Sequence, residues 1–237
     1  MPEDWNVQSL KELCKVITKG TTQTTLKKAF VDKGINFIKA ESILDNHSID
    51  LNKIMFIDEE TNAILKRSQI EQFDILYTIA GTIGRFAIVL PSQTPANTNQ
   101  AVAIIRCDSI YTLFVYNMLI CGCHLSHFRS KIVQAVQANL SLGSISELPV
   151  LLPPLNIIEK YTEIIKPIFQ TIFNNYKESR NLSQLRDTLL PKLMSGEIDV
   201  SNVNIDDLAS ADKLSFIITF VLLRFVTQKA FKRTLST

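Results

Sequence analysis

Apolar residues recur every three or four positions from Leu152 to Val200, a spacing that predicts one long helix. On a heptad, Ile158, Ile165 and Ile172 share one core position, Tyr161, Ile168, Leu182 and Leu189 share the other, and Leu193 closes the seam. A sustained heptad predicts a partner helix. Asn175, Ser179 and Arg186 interrupt the seam, and polar residues there fix register at some cost in stability. From Leu155 to Ser195 such a helix would reach roughly 60 Å, the length of a spacer. Pro153 and Pro154 suit its entry and Gly196 its stop, while Pro167 and Pro191 should kink it. The alternative is an amphipathic helix folded back on its own domain.

Upstream the period shortens. Gly34 to Ala40 alternates as a strand, with Asn36 and Lys39 at its surface. Phe73 to Leu90 is two β-rich runs around Gly81-Thr82-Ile83-Gly84, which predicts a hairpin with Arg85 just beyond its turn. Ala101 to Arg106 is a further strand, and Tyr111 to Val136 has helical spacing. A polar passage from Gln134 to Pro149 marks the best boundary. These readings give an α+β chain: a globular mixed domain over 1–150, a long helix over 151–200 and an apolar, basic tail over 201–237.

Charge adds little for the whole chain, since the net value is +2. Residues 1–150 balance 14 basic against 14 acidic side chains, and residues 209–237 carry 5 against 1. An early cluster, Lys11 to Lys39, leaves room for a basic face on a neutral domain. Four cysteines without regular spacing, and no charged-then-apolar leader, predict a reducing, cytoplasmic setting. The apolar run Leu214 to Val226 is shorter than the roughly 20 residues a bilayer requires, so stable membrane insertion is not expected.

The candidate chemistry is recognition rather than catalysis. No phosphate-binding Gly-rich loop, nucleophile elbow or zinc-protease motif occurs, and the three histidines lie in no catalytic pattern. Cys121-Gly122-Cys123-His124 is too compressed for paired zinc ligands, so neither a metal nor a cofactor is expected. Lys19-Gly20-Thr21-Thr22 reads as an exposed loop whose lysine and hydroxyls suit phosphate oxygens or base edges. Asn97, Asn99 and Gln100 carry amides that match an adenine edge, and Arg85 and Lys39 are further candidate DNA contacts. Turn-forming asparagines and a solvated lysine face are the structural alternatives.

Several segments, in order, resemble the specificity subunits of type I restriction-modification systems. They are Trp5 with Leu10-Lys11-Glu12-Leu13, Lys19-Gly20-Thr21-Thr22, Asn36-Phe37-Ile38-Lys39, Asp74-Ile75-Leu76, and Gly81-Thr82-Ile83-Gly84-Arg85. Asn99-Gln100-Ala101, Leu152-Pro153-Pro154-Leu155 and Leu185 to Ile198 continue the series. The resemblance implies a non-catalytic subunit whose target-recognition domain reads one half of a bipartite site in double-stranded DNA. It implies a helix that pairs as an antiparallel coiled coil with a second such helix, here in a homodimer, and docks methyltransferase and restriction subunits. Family members commonly hold two recognition domains, whereas one is visible here, so a half-subunit or a truncated, non-functional fragment is expected. Asn156-Ile157-Ile158 replaces the family's usual Glu-Gln after Pro-Pro-Leu, and the tail matches nothing in the family. A coiled-coil scaffold protein is the rival reading.

Overall fold

The computed structural model describes residues 4–21, 28–128 and 139–198. In chain order the described strands begin with β1 (Asn6–Ser9), β2 (Cys14–Lys19), β3 (Ile35–Ile38), β4 (Met55–Ile57) and β5 (Gln69–Ile70). They continue with β6 (Ile75–Thr78), β7 (Phe86–Ile88), β8 (Ala96–Thr98), β9 (Val102–Cys107) and β10 (Pro149–Leu152). The described helices are α1 (Glu59–Ile64), α2 (Ser109–Ile120), α3 (Leu142–Ser146) and α4 (Leu155–Met194). Two compact units part between Asn174 and Asn175.

Ile75, Leu76, Tyr77 and Thr78 are all buried, the signature of a strand covered on both faces. β6 sits inside an antiparallel sheet ordered β2-β9-β6-β7. Because strand side chains alternate, Ile75, Tyr77, Phe86, Ile88, Ala103 and Ile105 share one face, where they pack with Val115 and Leu119 of α2 and Ile158 and Phe169 of α4. Leu76, Ala87, Val102 and Ile104 form the other face and pack with Ile38, Ile43, Ile49 and Ala96. The second sheet, ordered β4-β3-β8-β5, supplies Ile38 and Ala96 and contains one parallel pair, β3 with β8. The first unit is therefore layered as helices, sheet, sheet, the α+β arrangement expected.

The hairpin over Phe73 to Leu90 forms as β6 and β7, and Gly81 and Gly84 turn it at φ of 71° and 98°, where a side chain would be strained. β1 pairs with β10, tying the start of the chain to the strand that feeds α4. The helix predicted over Tyr111 to Val136 is shorter: α2 stops at Ile120, and Gly122 at φ 75° turns the chain. Cys123 and His127 thus share no face of one helix.

α4 is a continuous helix of 40 residues that runs through both Pro167 and Pro191 and stops before Gly196, which takes a left-handed φ of 74°. Its apolar positions divide differently from the heptad reading. In the first unit Ile158 is 1% exposed, and Ile165 and Phe173 pack beside it against the domain core. Tyr161 meets the Phe114 ring edge-on. Ile158 and Ile165 belong to this domain's own interior and not to an open seam. The physical reason is spacing: Ile158, Tyr161, Ile165 and Phe169 follow the 3.6 period of a helix lying on a core. Ile157, Ile164, Ile168 and Ile172 of the same unit stay exposed. In the second unit Leu182, Leu185, Leu189 and Leu193 are exposed as well. Among the described residues no helix is long and apolar enough to cross a membrane. Thr22, the end of the helix predicted to Val136 and the tail over 201–237 lie outside the described residues.

Candidate nucleic-acid interface

Gly20 ties two loops together. A Cβ there would stand 2.2 Å from the Asn99 carbonyl oxygen and 2.3 Å from that of Thr98, so only glycine allows this close a passage. Two backbone bonds fix it: Gly20 N–H donates to Val102 O at 3.1 Å, and Thr21 N–H donates to Thr98 O at 3.1 Å. The result sets Lys19 and Thr21, from the end of β2, beside Asn99 and Gln100, which precede β9. Lys19 and Gln100 are exposed and Asn99 and Thr21 are half-buried. The β6–β7 turn joins this end of the sheet, because Ile79 N–H donates to Ala101 O at 2.8 Å. Lys39 follows Ile38, which lies opposite Thr98 in the parallel pair.

Several of the expected residues are held in place by neighbours, Asn99 among them, whose Oδ1 accepts from the Ala101 N–H at 3.2 Å. Asn97 is 0% exposed: its amide nitrogen donates to Asn62 Oδ1 and the Leu65 carbonyl, and its oxygen accepts from Thr98 N–H. That side chain braces the loop and faces no solvent. Arg85 forks onto Asp45, Nε to Oδ1 at 2.7 Å and Nη2 to Oδ2 at 2.8 Å, which ties the hairpin to the segment after β3. Lys39 Nζ bonds Glu41 Oε1 at 3.1 Å and lies 5.4 Å from the Phe30 ring centre. These two cations have acidic partners, while Lys19, Thr21, Asn99 and Gln100 line the sheet end.

Two cations escaped the sequence reading. Arg67 reaches Thr21 Oγ1 from Nη2 at 3.4 Å, and its neighbour Lys66 is exposed like it. Both sit in the short turn between α1 and β5, and the Lys66-Arg67 dipeptide was the signal that could have found them. Charged side chains at phosphate distance and amides near base edges are the two kinds of contact a groove reader combines. Among the described residues no cluster of three or more His, Cys, Asp or Glu side chains could hold a metal ion.

A family model described as the type I restriction modification DNA specificity domain matches residues 2–183. The specificity subunit of the type I restriction enzyme MjaIX of Methanocaldococcus jannaschii is 25% identical over 209 residues, covering 86% of this chain and 46% of that protein. The HindI specificity subunit of Haemophilus influenzae is 25% identical over 207 residues, covering 84% of this chain and 42% of that protein. This chain spans less than half the length of the curated relatives it matches. A solved type I restriction-modification S subunit from M. genitalium superposes with a TM-score of 0.52 at 19% identity, over 81% of this chain and 46% of that one, a likeness of fold.

Proposed function

The chain belongs to the family of type I restriction-modification DNA specificity domains, and we propose that its first unit reads one half of a bipartite target in double-stranded DNA. The observation that carries this reading is the junction at Gly20, where the Gly20-Thr21 backbone lies against that of Thr98 and Asn99, and Arg67 reaches Thr21. In this mechanism Lys19, Lys66 and Arg67 hold phosphates and set the register on the duplex. Gln100 presents an amide that pairs with an adenine edge in the major groove, with the Asn99 amide nitrogen beside it, its oxygen being held by the Ala101 N–H. Asn97, Arg85 and Lys39 keep the loops in shape behind them. The chain itself performs no catalysis; methyltransferase and restriction subunits supply it.

α4 acts as the spacer. Its exposed Ile168, Ile172, Leu182, Leu189 and Leu193 pair antiparallel with the same helix of a second copy, so that two domains read inverted half-sites at a fixed separation. Methyltransferase subunits dock on the paired helices.

Titrating the purified chain against duplex DNA at several salt concentrations tests the reading. Log affinity falls linearly with log salt, with a slope near 0.9 per phosphate contacted. Binding that ignores both salt and sequence contradicts a groove reader and favours a scaffold protein.

A further inference from the structure

Cys14 opens β2, Cys107 closes β9, and the two residues stand directly opposite each other in the antiparallel ladder. Their sulfurs are 3.2 Å apart. Asp108 N–H donates to Leu13 O at 3.0 Å, one step beyond the pair, which leaves Cys14 and Cys107 at a non-hydrogen-bonded position. Cα atoms there lie about 4.5 Å apart, inside the range a disulfide spans. A disulfide bond is about 2.05 Å long, so the two sulfurs have roughly one ångström left to close. Lys15 Nζ, 3.4 Å from Asp108 Oδ1, adds a second tie between the same strand ends.

We propose that Cys14 and Cys107 form a redox modification site, a cross-strand thiol pair that a peroxide or a small-molecule disulfide converts into a disulfide. Cys14 is half-buried and Cys107 is buried, so the oxidant meets Cys14 first. The contact with Cys14, together with burial, pushes the Cys107 thiol above the ordinary thiol range, so Cys107 acts second. With hydrogen peroxide, the Cys14 thiolate attacks one oxygen and the O–O bond breaks, giving a sulfenic acid and hydroxide. The Cys107 sulfur then attacks the Cys14 sulfur, the S–O bond breaks, and the departing hydroxide carries off the Cys107 proton. Two thiols and one peroxide become one disulfide and two waters. With a small-molecule disulfide, Cys14 forms the mixed disulfide and Cys107 displaces the second thiol. A dithiol reductant reverses either product.

This staple lies at the opposite end of β2 from Lys19, and it stands whether or not the chain reads DNA. The test treats the full chain with hydrogen peroxide, or with oxidised glutathione, and maps unreduced peptides with fragmentation to assign each cysteine. The expected result is a Cys14–Cys107 link with loss of two hydrogen atoms, reversed by dithiothreitol, and a melting temperature higher in the oxidised chain. The link persists in a Cys121→Ser, Cys123→Ser variant and is absent in Cys14→Ser. Sulfinic acid on Cys14 without a link, or oxidation confined to the exposed Cys121 and Cys123, overturns the proposal. Because the mapping uses the unsubstituted chain, a variant that fails to fold leaves the result intact.

Discussion

Arg106 grips Asp74 with two parallel hydrogen bonds of 2.8 Å, Nε to Oδ1 and Nη2 to Oδ2, tying β9 to the residue that enters β6. Asp74 is 1% exposed, and the same guanidinium reaches Glu71 Oε1 at 2.6 Å and the Gln69 carbonyl at 3.2 Å. Burial pushes the Asp74 carboxyl up from its ordinary range, while Arg106 and the Glu71 N–H pull it back. Removing one member of such a pair leaves the other poorly compensated. Asp74→Asn is therefore expected to cost about 2–4 kcal/mol, below the fully buried limit because Arg106 keeps Glu71 and partial exposure. Denaturant midpoints of the single and double variants with Arg106→Gln measure it, and the double variant should cost less than the two singles added.

His124 is 2% exposed among Tyr77, Phe86 and Phe128, and neither ring nitrogen has a hydrogen-bond partner. Burial first, and the nearby His47 charge second, lower its pKa from 6.5 to about 4. Between those values the unfolded chain binds the proton and the folded chain does not, so stability falls as pH drops through this window. The loss amounts to about 2–3 kcal/mol by pH 4. His124→Phe should remove that slope and raise stability at neutral pH, as read from melting curves across the window. An unchanged slope in the variant would assign it to other groups.

Asn97 and Gln100 separate structure from recognition. Asn97→Ala takes the acceptor from the Thr98 N–H and the donor from the Asn62 side chain, while the Leu65 carbonyl keeps the Ser68 N–H and hydroxyl, and is expected to cost about 1–3 kcal/mol. Gln100→Ala, at an exposed position, should leave the melting temperature within a degree or two and lower affinity for the target sequence relative to unrelated DNA. Calorimetry beside anisotropy titrations distinguishes the two.

These contrasts also mark what the sequence could tell. Alternation and turn glycines predicted the β6–β7 hairpin and the β9 strand, because local periodicity governs both. Asn97 and Gln100 look alike in a polar run, and only the pairing of β8 with β3 and β5 buries the first and exposes the second. Arg85 just after a turn reads as free until the chain brings Asp45 to it from forty residues away. Long-range placement also explains Ile158 and Ile165. A heptad and a helix lying on its own core share most positions, and α2 decides between them by occupying one face.

Lys66 and Arg67 should act through charge alone. Exchanging either for glutamine is expected to weaken binding to specific and unrelated DNA nearly equally, and to lower the salt slope by about 1 for each phosphate no longer neutralised. A change of sequence preference with an unchanged slope would make them base readers instead.

On α4, Ile158→Glu should unfold the domain, whereas Ile168→Glu with Leu189→Glu should leave the domain folded and abolish pairing of two chains. Sedimentation with circular dichroism reads both outcomes. Variants that remain paired would place the partner elsewhere.

The central claim is that this chain chooses where its partners act on DNA. Mapping methylated adenines across the host genome, with the chain deleted and then restored, tests it most directly. The expected result is that methylation at one recurrent sequence vanishes on deletion, returns with the native chain, and fails to return with Gln100→Ala. A methylation pattern that is the same with and without the chain contradicts it.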